Sequence, residues 1–399
     1  MNVLFLMISF PENSKGSNLY TDLAQEFYRN GHHVYVATLL ENKYGRNTCL
    51  QEEQGLKVLR IKSGDLFNVG AIRKGLSTIR LPAIFKQAIN EYFKGVKYDL
   101  VVYPTPPITF ASVANYIKKR DRCKTYLILR DIFPQNARDL GMISGGPVFA
   151  YFRMLEKKLY AISDHIGCMS KGNIEYVMKH NREVSRDKLE LLPNWKKVNR
   201  KSDGINTAIK AKYGLENKFV AIFGGNLGKP QELDFLLELA ALYRQQEDIA
   251  FLIIGDGTER QRLEAKIREM SLENVLLKEK VPTSDYDELV RVCDIGLINL
   301  NRHFTIPNIP SKTLSYFEAG IPILAAVDRN TDYADILAEA QAGLCSVTGE
   351  LEEYRKNFDK LYRNESLRKR LGMNGRDYLD KHWTVEQAYA TIKKHLSNG

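Results

Sequence analysis

Several short segments combine anion-binding residues with glycine turns that let a ligand approach the backbone. In FGGNLGKPQELDFLLELA (Phe223–Ala240), a strand-like run ends at Gly224 and Gly225, and a helical pattern follows Lys229. Glycine permits close approach of a phosphate, and a helix N-terminus favours its negative charge. The spacing matches neither a Walker A loop nor a GxGxxG fingerprint. The segment indicates a phosphate site, with a plain strand-to-helix turn as the alternative.

A second segment, IPSKTLSYFEAGIPIL (Ile309–Leu324), has the pattern of a short helix between two strand-like pieces. The pattern predicts Ser311 at the N-cap and Gly320 at the helix end. Leu314 occupies the position where Glu or Gln would close a capping box. The helix end, the Ser311 hydroxyl and the Lys312 ammonium would then meet in a small volume that suits a diphosphate. A capped helix without a ligand is the alternative.

Three further segments place polar residues after strand-like runs. IIGDGTE (Ile253–Glu259) indicates another glycine turn, with or without a ligand. SDYDE (Ser284–Glu288) contains an Asp-x-Asp pair, which can chelate a divalent cation but also suits the first turn of a helix. In LRDIFPQNARDLG (Leu129–Gly141), Asp131 follows a strand and could orient a hydroxyl or accept a proton. A loop ion pair with Arg130 is the alternative there.

Two loops in the first half of the chain are also predicted to follow strands. SFPENSKGSNLY (Ser9–Tyr20) contains Lys15, Gly16 and Ser17, which could approach a phosphate or a second substrate. YPTPPITF (Tyr103–Phe110) is a rigid proline loop. Ligands of doubly wound sheets bind at such strand ends, so both loops are candidates for the second substrate.

Composition narrows the class of partner. The 399 residues include 58 Lys and Arg against 48 Asp and Glu, a net charge of +10, which favours an anionic partner. The basic, amphipathic stretch 68–95 could contact an anionic membrane surface or pack as a surface helix. No apolar run reaches the ~20 residues of a membrane span, and MNVLFLMISF is predicted to be a first strand. Nucleic-acid motifs are absent from the sequence.

The cysteines favour neither a zinc site nor a disulfide framework. The five cysteines are far apart and form no CxxC pair, and the histidines show no metal-ligand spacing. The sequence therefore fits a reducing cytoplasm and predicts no bound metal.

Alternating strand-like and helical patterns must position all of these residues. The strand-like runs are NVLFLMIS, HHVYVATL, YDLVVYPTP, TYLILRD, HIGCMS, FVAIFGG, IAFLIIGDG, VLLKEKV, DIGLINL and IPILAA. Such alternation predicts an α/β fold with parallel sheets. The pattern restarts near Lys218–Gly225 after a polar stretch. We therefore predict two doubly wound Rossmann-like domains facing across a cleft, residues 1–197 and 198–378, and a C-terminal helix, 379–399, crossing back to the first.

These segments together resemble those of bacterial family 4 glycosyltransferases of the GT-B fold, over essentially the whole chain. The closer likeness is to a branch of fucosamine and N-acetylaminosugar transferases of surface polysaccharide assembly. RNGHHVYVAT, LRDIFPQ and ELLPNW resemble its N-domain segments, and the glycine loop, FLIIGDGTER, IPSKTLSYFEAGIPILA and GMNGRDYLDKHWTVEQA follow in family order.

The resemblance implies a retaining transfer from a nucleotide-sugar, most often a UDP-sugar, without an obligatory metal or other cofactor. It implies donor contacts in the second domain and acceptor or sugar contacts in the first. The implied catalytic residues are Asp131, Lys229 and Lys312. The implied donor-binding residues are Gly224, Gly225, Asn226, Gln231, Gly255, Lys280, Val281, Pro310, Ser311, Thr313 and Ser315. The implied acceptor-side residues are Lys15, Gly16, Ser17, Phe133 and Pro134.

The sequence also departs from the family pattern. Asn226 and Gln231 stand where many members have Arg and Lys. Ser315 and Pro307 stand where the family has a pair of glutamates, of which the second usually contacts the ribose. Phe133 replaces a usual tryptophan, and the neighbouring Gln135 replaces a glutamate.

The expected partners are a nucleotide-sugar donor and a lipid-linked or oligosaccharide acceptor, with no nucleic acid. The expected location is the cytoplasm, at the inner face of the cell membrane. Two other functions fit the same fold. One is a UDP-aminosugar epimerase, which would need several acids and histidines in its cleft. The other is a non-catalytic, nucleotide-sugar-binding partner in polysaccharide assembly.

Overall fold

The protein, in a computed structural model, is described over residues 1–12, 16–64, 71–198 and 208–396, with only the backbone described for residues 71–79. It divides into two compact units. Unit 1 comprises Met1–Lys197 and Val385–Gly399, and unit 2 comprises Val198–Thr384. The C-terminal end of the chain therefore folds with unit 1.

Unit 1 is built on an eight-stranded sheet. Its strands are β1 (Asn2–Met7), β2 (His33–Glu41), β3 (Cys49–Glu53), β4 (Leu56–Ser63), β5 (Leu100–Thr105), β6 (Lys124–Leu129), β7 (His165–Cys168) and β8 (Leu189–Leu191). Their order is β3-β4-β2-β1-β5-β6-β7-β8. Neighbouring strands are parallel except β3 and β4, which are antiparallel. The strand order reverses between β1 and β5.

Both faces of this sheet are buried. Along β1, Leu4 and Leu6 pack into one core cluster, while Val3, Phe5 and Met7 pack into another. Successive side chains of a strand point to opposite faces, so an uninterrupted apolar run supplies both clusters. The helices of this part of the chain are α1 (Leu19–Arg29), α2 (Ala71–Tyr92), α3 (Phe110–Asp121), α4 (Gln135–Asp139), α5 (Pro147–Ile162) and α6 (Lys171–His180).

Unit 2 is built on a six-stranded parallel sheet in the order β11-β10-β9-β12-β13-β14. Its strands are β9 (Phe219–Asn226), β10 (Ile249–Asp256), β11 (Val275–Lys278), β12 (Ile295–Asn299), β13 (Ile323–Val327) and β14 (Gly343–Val347). Its helices are α7 (Ala208–Lys212), α8 (Leu233–Ala241), α9 (Arg260–Glu269), α10 (Thr283–Arg291), α11 (Thr313–Ala319), α12 (Tyr333–Glu339), α13 (Leu351–Arg363) and α14 (Glu365–His382). The strand order reverses between β9 and β12, where doubly wound sheets bind ligands.

The C-terminal helix, α15 (Val385–Lys393), packs on α1 within unit 1. The Tyr389 ring lies edge-on to Phe27 with centroids 4.8 Å apart, and Ile392 is fully buried. The amide of Val385 donates to the Lys196 carbonyl at 3.1 Å. The C-terminal helix that crosses back is predicted to begin at residue 379, but α14 continues through that residue. The chain returns to unit 1 only at Val385.

Every strand-like run named above contains a strand, but the apolar patterns do not indicate β3, β4, β8 or β14. β3 is a largely exposed edge strand, and β8 has only three residues. β14 is a half-buried edge strand without an apolar run. Short or exposed edge strands bury little side-chain surface, so a search for apolar runs misses them. β4 is instead an interior strand, and Lys57, Arg60 and Lys62 interrupt its apolar residues.

The basic stretch 68–95 lies only partly within the described residues, because residues 65–70 and the side chains of residues 71–79 are outside them. In the described part of α2, Leu81, Phe85 and Ile89 belong to the core of unit 1. That apolar face is therefore used in folding. No helix of the described residues is long and apolar enough to cross a membrane.

Candidate functional site

The Lys312 ammonium lies at the reversal of strand order in unit 2, just before α11. It is 3.6 Å from the centroid of the Phe223 ring, near the end of β9. It also donates a hydrogen bond to the Gln231 side-chain oxygen at 2.8 Å. An aromatic face and a neutral amide orient a cation without neutralising it. Among the described residues no carboxylate forms an ion pair with Lys312.

Burial lowers the pKa of Lys312 well below its ordinary value of 10.5. Lys312 is half-buried, and an ammonium that is partly withdrawn from water and paired with no carboxylate is costly in the empty protein. A bound anion would supply the missing charge and raise this pKa. The arrangement therefore fits a site for an anionic ligand, and Lys312 is its strongest electrostatic element.

The loop that presents Gln231 is fixed to the end of β12. Asn301 donates from its side chain to the Lys229 carbonyl, and its amide donates to the Pro230 carbonyl, both at 2.9 Å. Glu232 accepts from the guanidinium and the backbone amide of Arg302. These bonds hold the short 3-10 turn Lys229–Gln231 against the neighbouring loop. The Lys229 side chain is exposed beside this turn.

Two glycines let the ends of β9 and β10 come unusually close. In the parallel register, Gly225 pairs with Gly255. A Cβ on Gly255 would lie 1.8 Å from the Gly225 carbonyl oxygen, so no larger residue fits there without a shift. Gly225 has a φ of 124°, and a Cβ on it would lie 3.9 Å from the Cε of Lys312. The glycine segment therefore leaves its backbone open beside the Lys312 side chain.

Two residues that support this site were not singled out from the sequence. Arg260, at the start of α9, donates to the carbonyls of Gly255 and Lys278, each at 2.9 Å, and ties together the ends of β10 and β11. The Tyr316 hydroxyl lies 3.1 Å from the Ile222 carbonyl oxygen, which joins α11 to β9. Neither contact leaves a periodic signal in the sequence, because each is a bond from one side chain to a backbone carbonyl.

The prediction that Ser311 caps α11 is wrong. The helix begins at Thr313, its N-cap residue is Lys312, and no side chain caps it. The amides of Thr313 and Leu314 bond to the carbonyls of Pro310 and Ser311, so a tight turn precedes the helix. Ser311 itself is exposed. The prediction that Gly320 ends the helix is confirmed, since Gly320 is its C-cap with a φ of 70°.

The other predicted donor residues of unit 2 lie around this region with different degrees of exposure. Thr313 is fully buried, and its hydroxyl bonds to the Tyr333 hydroxyl at 2.8 Å, so that hydroxyl serves packing. Pro310, Ser315 and Val281 are half-buried, whereas Gly225, Asn226 and Lys280 are exposed and Gly224 is buried. The Asp-x-Asp pair lies in α10, with Asp285 in its first turn.

In unit 1, Asp131 follows β6 and lies beside the end of β5. The Thr105 hydroxyl donates to the Asp131 carbonyl at 2.8 Å, which fixes this loop. Burial raises the pKa of the Asp131 carboxyl, and the positive charge of Arg130 offsets part of that rise. The same two charges affect Tyr20, whose pKa is raised by burial. Tyr20, Arg130 and Asp131 therefore form one polar group at the strand ends of unit 1.

The Arg130 guanidinium is incompletely paired. Its Nη1 atom is buried and has no hydrogen-bond partner among the described residues. The alternative interpretation of this loop, an ion pair between Arg130 and Asp131, is not observed. Among the described residues, no guanidinium nitrogen of Arg130 lies within 4.0 Å of a carboxylate oxygen. A buried, unpaired donor beside a protonatable carboxyl is typical of a ligand site.

The remaining acceptor-side residues are distributed around this group. Lys15 lies outside the described residues. Gly16 has a φ of 95°, and Ser17 is exposed just before α1. The Phe133 ring packs edge-on against Phe152, with centroids 5.1 Å apart, and Pro134 is buried.

The described residues contain no group of three or more His, Cys, Asp or Glu side chains placed to hold a metal ion.

Comparison with known proteins defines the class to which these two units belong. Residues 206–378 match the family described as "Glycosyl transferases group 1". The chain is 25% identical over 345 residues to WcaI of Escherichia coli (strain K12), covering 80% of this chain and 82% of WcaI, a protein whose name assigns it to colanic acid biosynthesis as a glycosyl transferase. It is 23% identical over 280 residues to WbjE of Pseudomonas aeruginosa, covering 68% of each protein, and WbjE is also named as a glycosyltransferase.

Solved structures show the same fold. Anabaena Alr3699/HepE in complex with UDP and glucose superposes with a TM-score of 0.74 at 17% identity, covering the whole of both chains. The two parallel-sheet, Rossmann-like units therefore form a GT-B fold, as the sequence predicts.

Proposed function

We propose that this protein is a glycosyltransferase that transfers a sugar from a nucleotide-sugar, most simply a UDP-sugar, to a hydroxyl group. The observation that carries the proposal is the half-buried Lys312 ammonium at the strand-order reversal of unit 2, which has no carboxylate partner among the described residues. A diphosphate would supply the missing negative charge. The match of residues 206–378 to group 1 glycosyl transferases supports the same assignment, as does the binding of UDP named for the HepE structure.

In the proposed reaction, the bond between the anomeric carbon and the β-phosphate oxygen breaks as the acceptor oxygen bonds to that carbon. The acceptor proton passes to the departing phosphate, and the nucleoside diphosphate leaves. Negative charge grows on the phosphate in the transition state, and a fixed cation stabilises it most at that point. Lys312 supplies this charge, while Lys229, Gln231 and Asn226 line the diphosphate.

We assign the retaining stereochemistry because the phosphate can accept the proton on the face from which it leaves. No separate protein nucleophile is then needed on the opposite face. In unit 1, the Asp131 carboxyl and the unpaired Nη1 of Arg130 would orient the reacting sugar or the acceptor hydroxyl. Asp131 is the proposed positioning residue.

The substrate class is proposed from the relatives. WcaI is named for colanic acid biosynthesis, so we assign this chain to surface polysaccharide assembly with a lipid-linked or oligosaccharide acceptor. The sequence resemblance adds an N-acetylated amino or deoxyamino sugar as the transferred group. We place the reaction in the cytoplasm, at the inner face of the membrane, where a net charge of +10 favours contact with an anionic surface.

Thermal stabilisation by nucleotides tests the donor half of this proposal. A ligand that binds only the folded state raises the melting temperature in proportion to the logarithm of its concentration. We expect UDP and at least one UDP-sugar to stabilise the parent, with little effect on Lys312→Ala. If no nucleotide stabilises the parent, the transferase assignment fails. If a UDP-sugar binds but no sugar is ever transferred or hydrolysed, the non-catalytic role is the better one. Solvent isotope exchange into the UDP-sugar without an acceptor would instead indicate an epimerase.

A further inference from the structure

Unit 1 contains a cavity that no part of the proposed donor site uses. It lies beyond the carboxyl ends of β1 and β2 and beside β4, and its volume is about 200 Å³. Its polar lining comes mainly from Ser9, Glu12, Glu41, Tyr44, Arg46 and Arg60. We refer to it as the β1–β2 cavity. It is smaller than the roughly 300–1,000 Å³ pockets of drug-sized ligands, and its size suits one sugar ring.

Two charge pairs are built into the walls of this cavity. Arg60 is 4% exposed, donates to the Phe10 carbonyl at 2.9 Å and forms a two-pronged contact with Glu53. The loop after β1 is thereby tied to the sheet. Arg46 forms an ion pair with Glu12 across the cavity wall. These bonds fix the polar groups before any ligand arrives.

Among the described residues, the charges that line the β1–β2 cavity balance. Glu12 and Glu41 are matched in number by Arg46 and Arg60, and Glu41 is further paired with Lys43 at 2.6 Å. A site for a phosphate would leave a guanidinium unpaired, and a site for an amine would leave a carboxylate unpaired. Paired charges instead offer both donors and acceptors without a net field, which suits neutral hydroxyl groups.

Tyr44 adds an exposed aromatic ring at the cavity. The residue is 56% exposed, although it is large and hydrophobic. An aromatic ring held at the edge of a polar cavity can cover the C–H face of a sugar while its hydroxyls bond to charged groups. The Lys43 ammonium lies over one face of this ring, 5.4 Å from its centroid, so a sugar would pack against the opposite face.

We propose that the β1–β2 cavity binds an uncharged sugar residue of the acceptor, with Tyr44 against its ring and Glu12, Glu41 and Arg46 bonded to its hydroxyls. The acceptor role rests on the proposed glycosyltransferase function, whereas the binding of a neutral sugar does not. This cavity would select the acceptor by charge, and unit 2 would select the donor.

Ligand-observed NMR on the full chain tests the proposal with methyl glycosides as probes. The neutral probes are those of glucose, galactose and N-acetylglucosamine, and the charged probes are those of glucosamine and glucuronic acid. We expect a neutral probe to bind best and Tyr44→Ala to weaken it about tenfold or more. Tyr151→Ala is the matched control, because Tyr151 lies on α5 of the same unit, is 48% exposed and does not line the cavity. Equal binding to Tyr44→Ala and parent would overturn the proposal.

Two charge variants sharpen the test. The Arg46 side chain is 43% exposed and the Glu12 side chain 23% exposed, and each substitution keeps a polar side chain of similar size, so the fold should persist. Glu12→Gln leaves the lining with one excess positive charge and should shift preference toward the glucuronide. Arg46→Gln leaves one excess negative charge and should shift it toward the glucosaminide. A parent that prefers either charged probe, or variants that show no shift, would contradict a charge-balanced site.

UDP stabilisation is measured on the same samples and keeps the two proposals apart. If UDP stabilises the protein and no methyl glycoside binds, only the acceptor site is wrong. If a neutral glycoside binds and depends on Tyr44 while UDP has no effect, the sugar site stands and the proposed transferase function fails.

Discussion

At the scale of single residues, the proposed donor site depends on one half-buried cation. Lys312 is held over the Phe223 ring and against Gln231, with no carboxylate partner among the described residues. Such a charge lowers the stability of the empty protein and is retained where a ligand uses it. Removing the Lys312 charge should therefore weaken ligand binding but leave the ligand-free protein as stable as the parent or more stable.

Replacing Lys312 with methionine should separate these two effects. We expect UDP to lose most of its stabilising effect and the transfer rate to fall about 100-fold or more, as when one oxyanion donor is removed. The ligand-free variant should melt at or above the parent's temperature, because methionine keeps the apolar contacts without the desolvated charge. Thermal unfolding with and without UDP measures both effects. Lys356→Met, an exposed lysine of α13 in the same unit, is the control and should behave as the parent. A large loss of ligand-free stability in Lys312→Met would argue that the lysine is structural.

The lowered pKa of Lys312 also predicts how donor affinity depends on pH. Lys312 carries its positive charge below its folded-state pKa and loses it as the pH rises through that pKa, which lies well below the ordinary lysine value of 10.5. UDP affinity should therefore weaken with rising pH in that range. Lys312→Arg should remove this dependence, since a guanidinium stays charged. Isothermal titration of UDP across pH measures it, and parallel profiles for the two proteins would contradict the assignment.

Asp131 provides a second titration with a defined sign. Burial raises its pKa above 3.8, so the folded state holds more protons than the unfolded state between the two pKa values. The free energy of unfolding then falls as pH rises through that window. Asp131→Asn should be more stable than the parent at neutral pH, with the difference vanishing in acid, while transfer slows. Denaturant unfolding at a series of pH values measures this.

Asp164 is the matched control of opposite sign in the same unit. Burial alone would raise its pKa, but hydrogen bonds from Lys118 and Thr125 outweigh that effect and lower it. Its stabilising contribution is present above the unfolded pKa and is lost as pH falls through the folded one. Asp164→Asn should therefore be less stable at neutral pH and should approach the parent in acid. Identical pH profiles for the two variants would refute the assigned signs.

At the scale of elements, the sequence predicts the buried parallel strands and the loops at their ends, because long apolar runs and glycine turns are local signals. It misplaces the start of α11, since the turn from Pro310 to Lys312 is set by backbone bonds rather than by a capping side chain. It also misses Arg260 and Tyr316, because their bonds to backbone carbonyls leave no periodic pattern. The sequence predicts Lys312 as a donor-site residue from its place before α11, but its packing over the Phe223 ring is seen only in the structure.

The close approach of β9 and β10 gives a test at this scale. Gly255→Ala would place a methyl group 1.8 Å from the Gly225 carbonyl oxygen, and we expect it to cost about 1–3 kcal/mol, as for overpacking. UDP binding should weaken as well, because the shift moves the backbone beside Lys312. Gly145→Ala is the control, since nothing lies within 4 Å of the added atom. Urea unfolding and UDP titration measure the two effects. A variant as stable as the parent would show that the strand ends separate easily.

At the scale of the whole molecule, the chain carries one natural reporter in each unit. It has two tryptophans, of which Trp195 belongs to unit 1 and Trp383 to unit 2. The Trp195 indole donates to the Leu19 carbonyl at 2.8 Å, beside α1. Trp383 stacks on Phe317 of α11, with centroids 5.6 Å apart. Trp383 thus contacts α11, the helix that follows Lys312, whereas Trp195 belongs to the core of unit 1.

These reporters predict where donor binding acts. In Trp195→Phe, the remaining Trp383 fluorescence follows unit 2, and UDP should raise its thermal midpoint. In Trp383→Phe, Trp195 follows unit 1, and UDP should raise its midpoint less, because ligand stabilises only the cooperative unit that binds it. Equal shifts would mean that the two units unfold together or that UDP contacts both. A shift in the thermal midpoint seen only through Trp195 would indicate that UDP binds unit 1. The donor and acceptor would then be assigned to the opposite units. Substitutions at Lys312 alone could not reveal such a reversal.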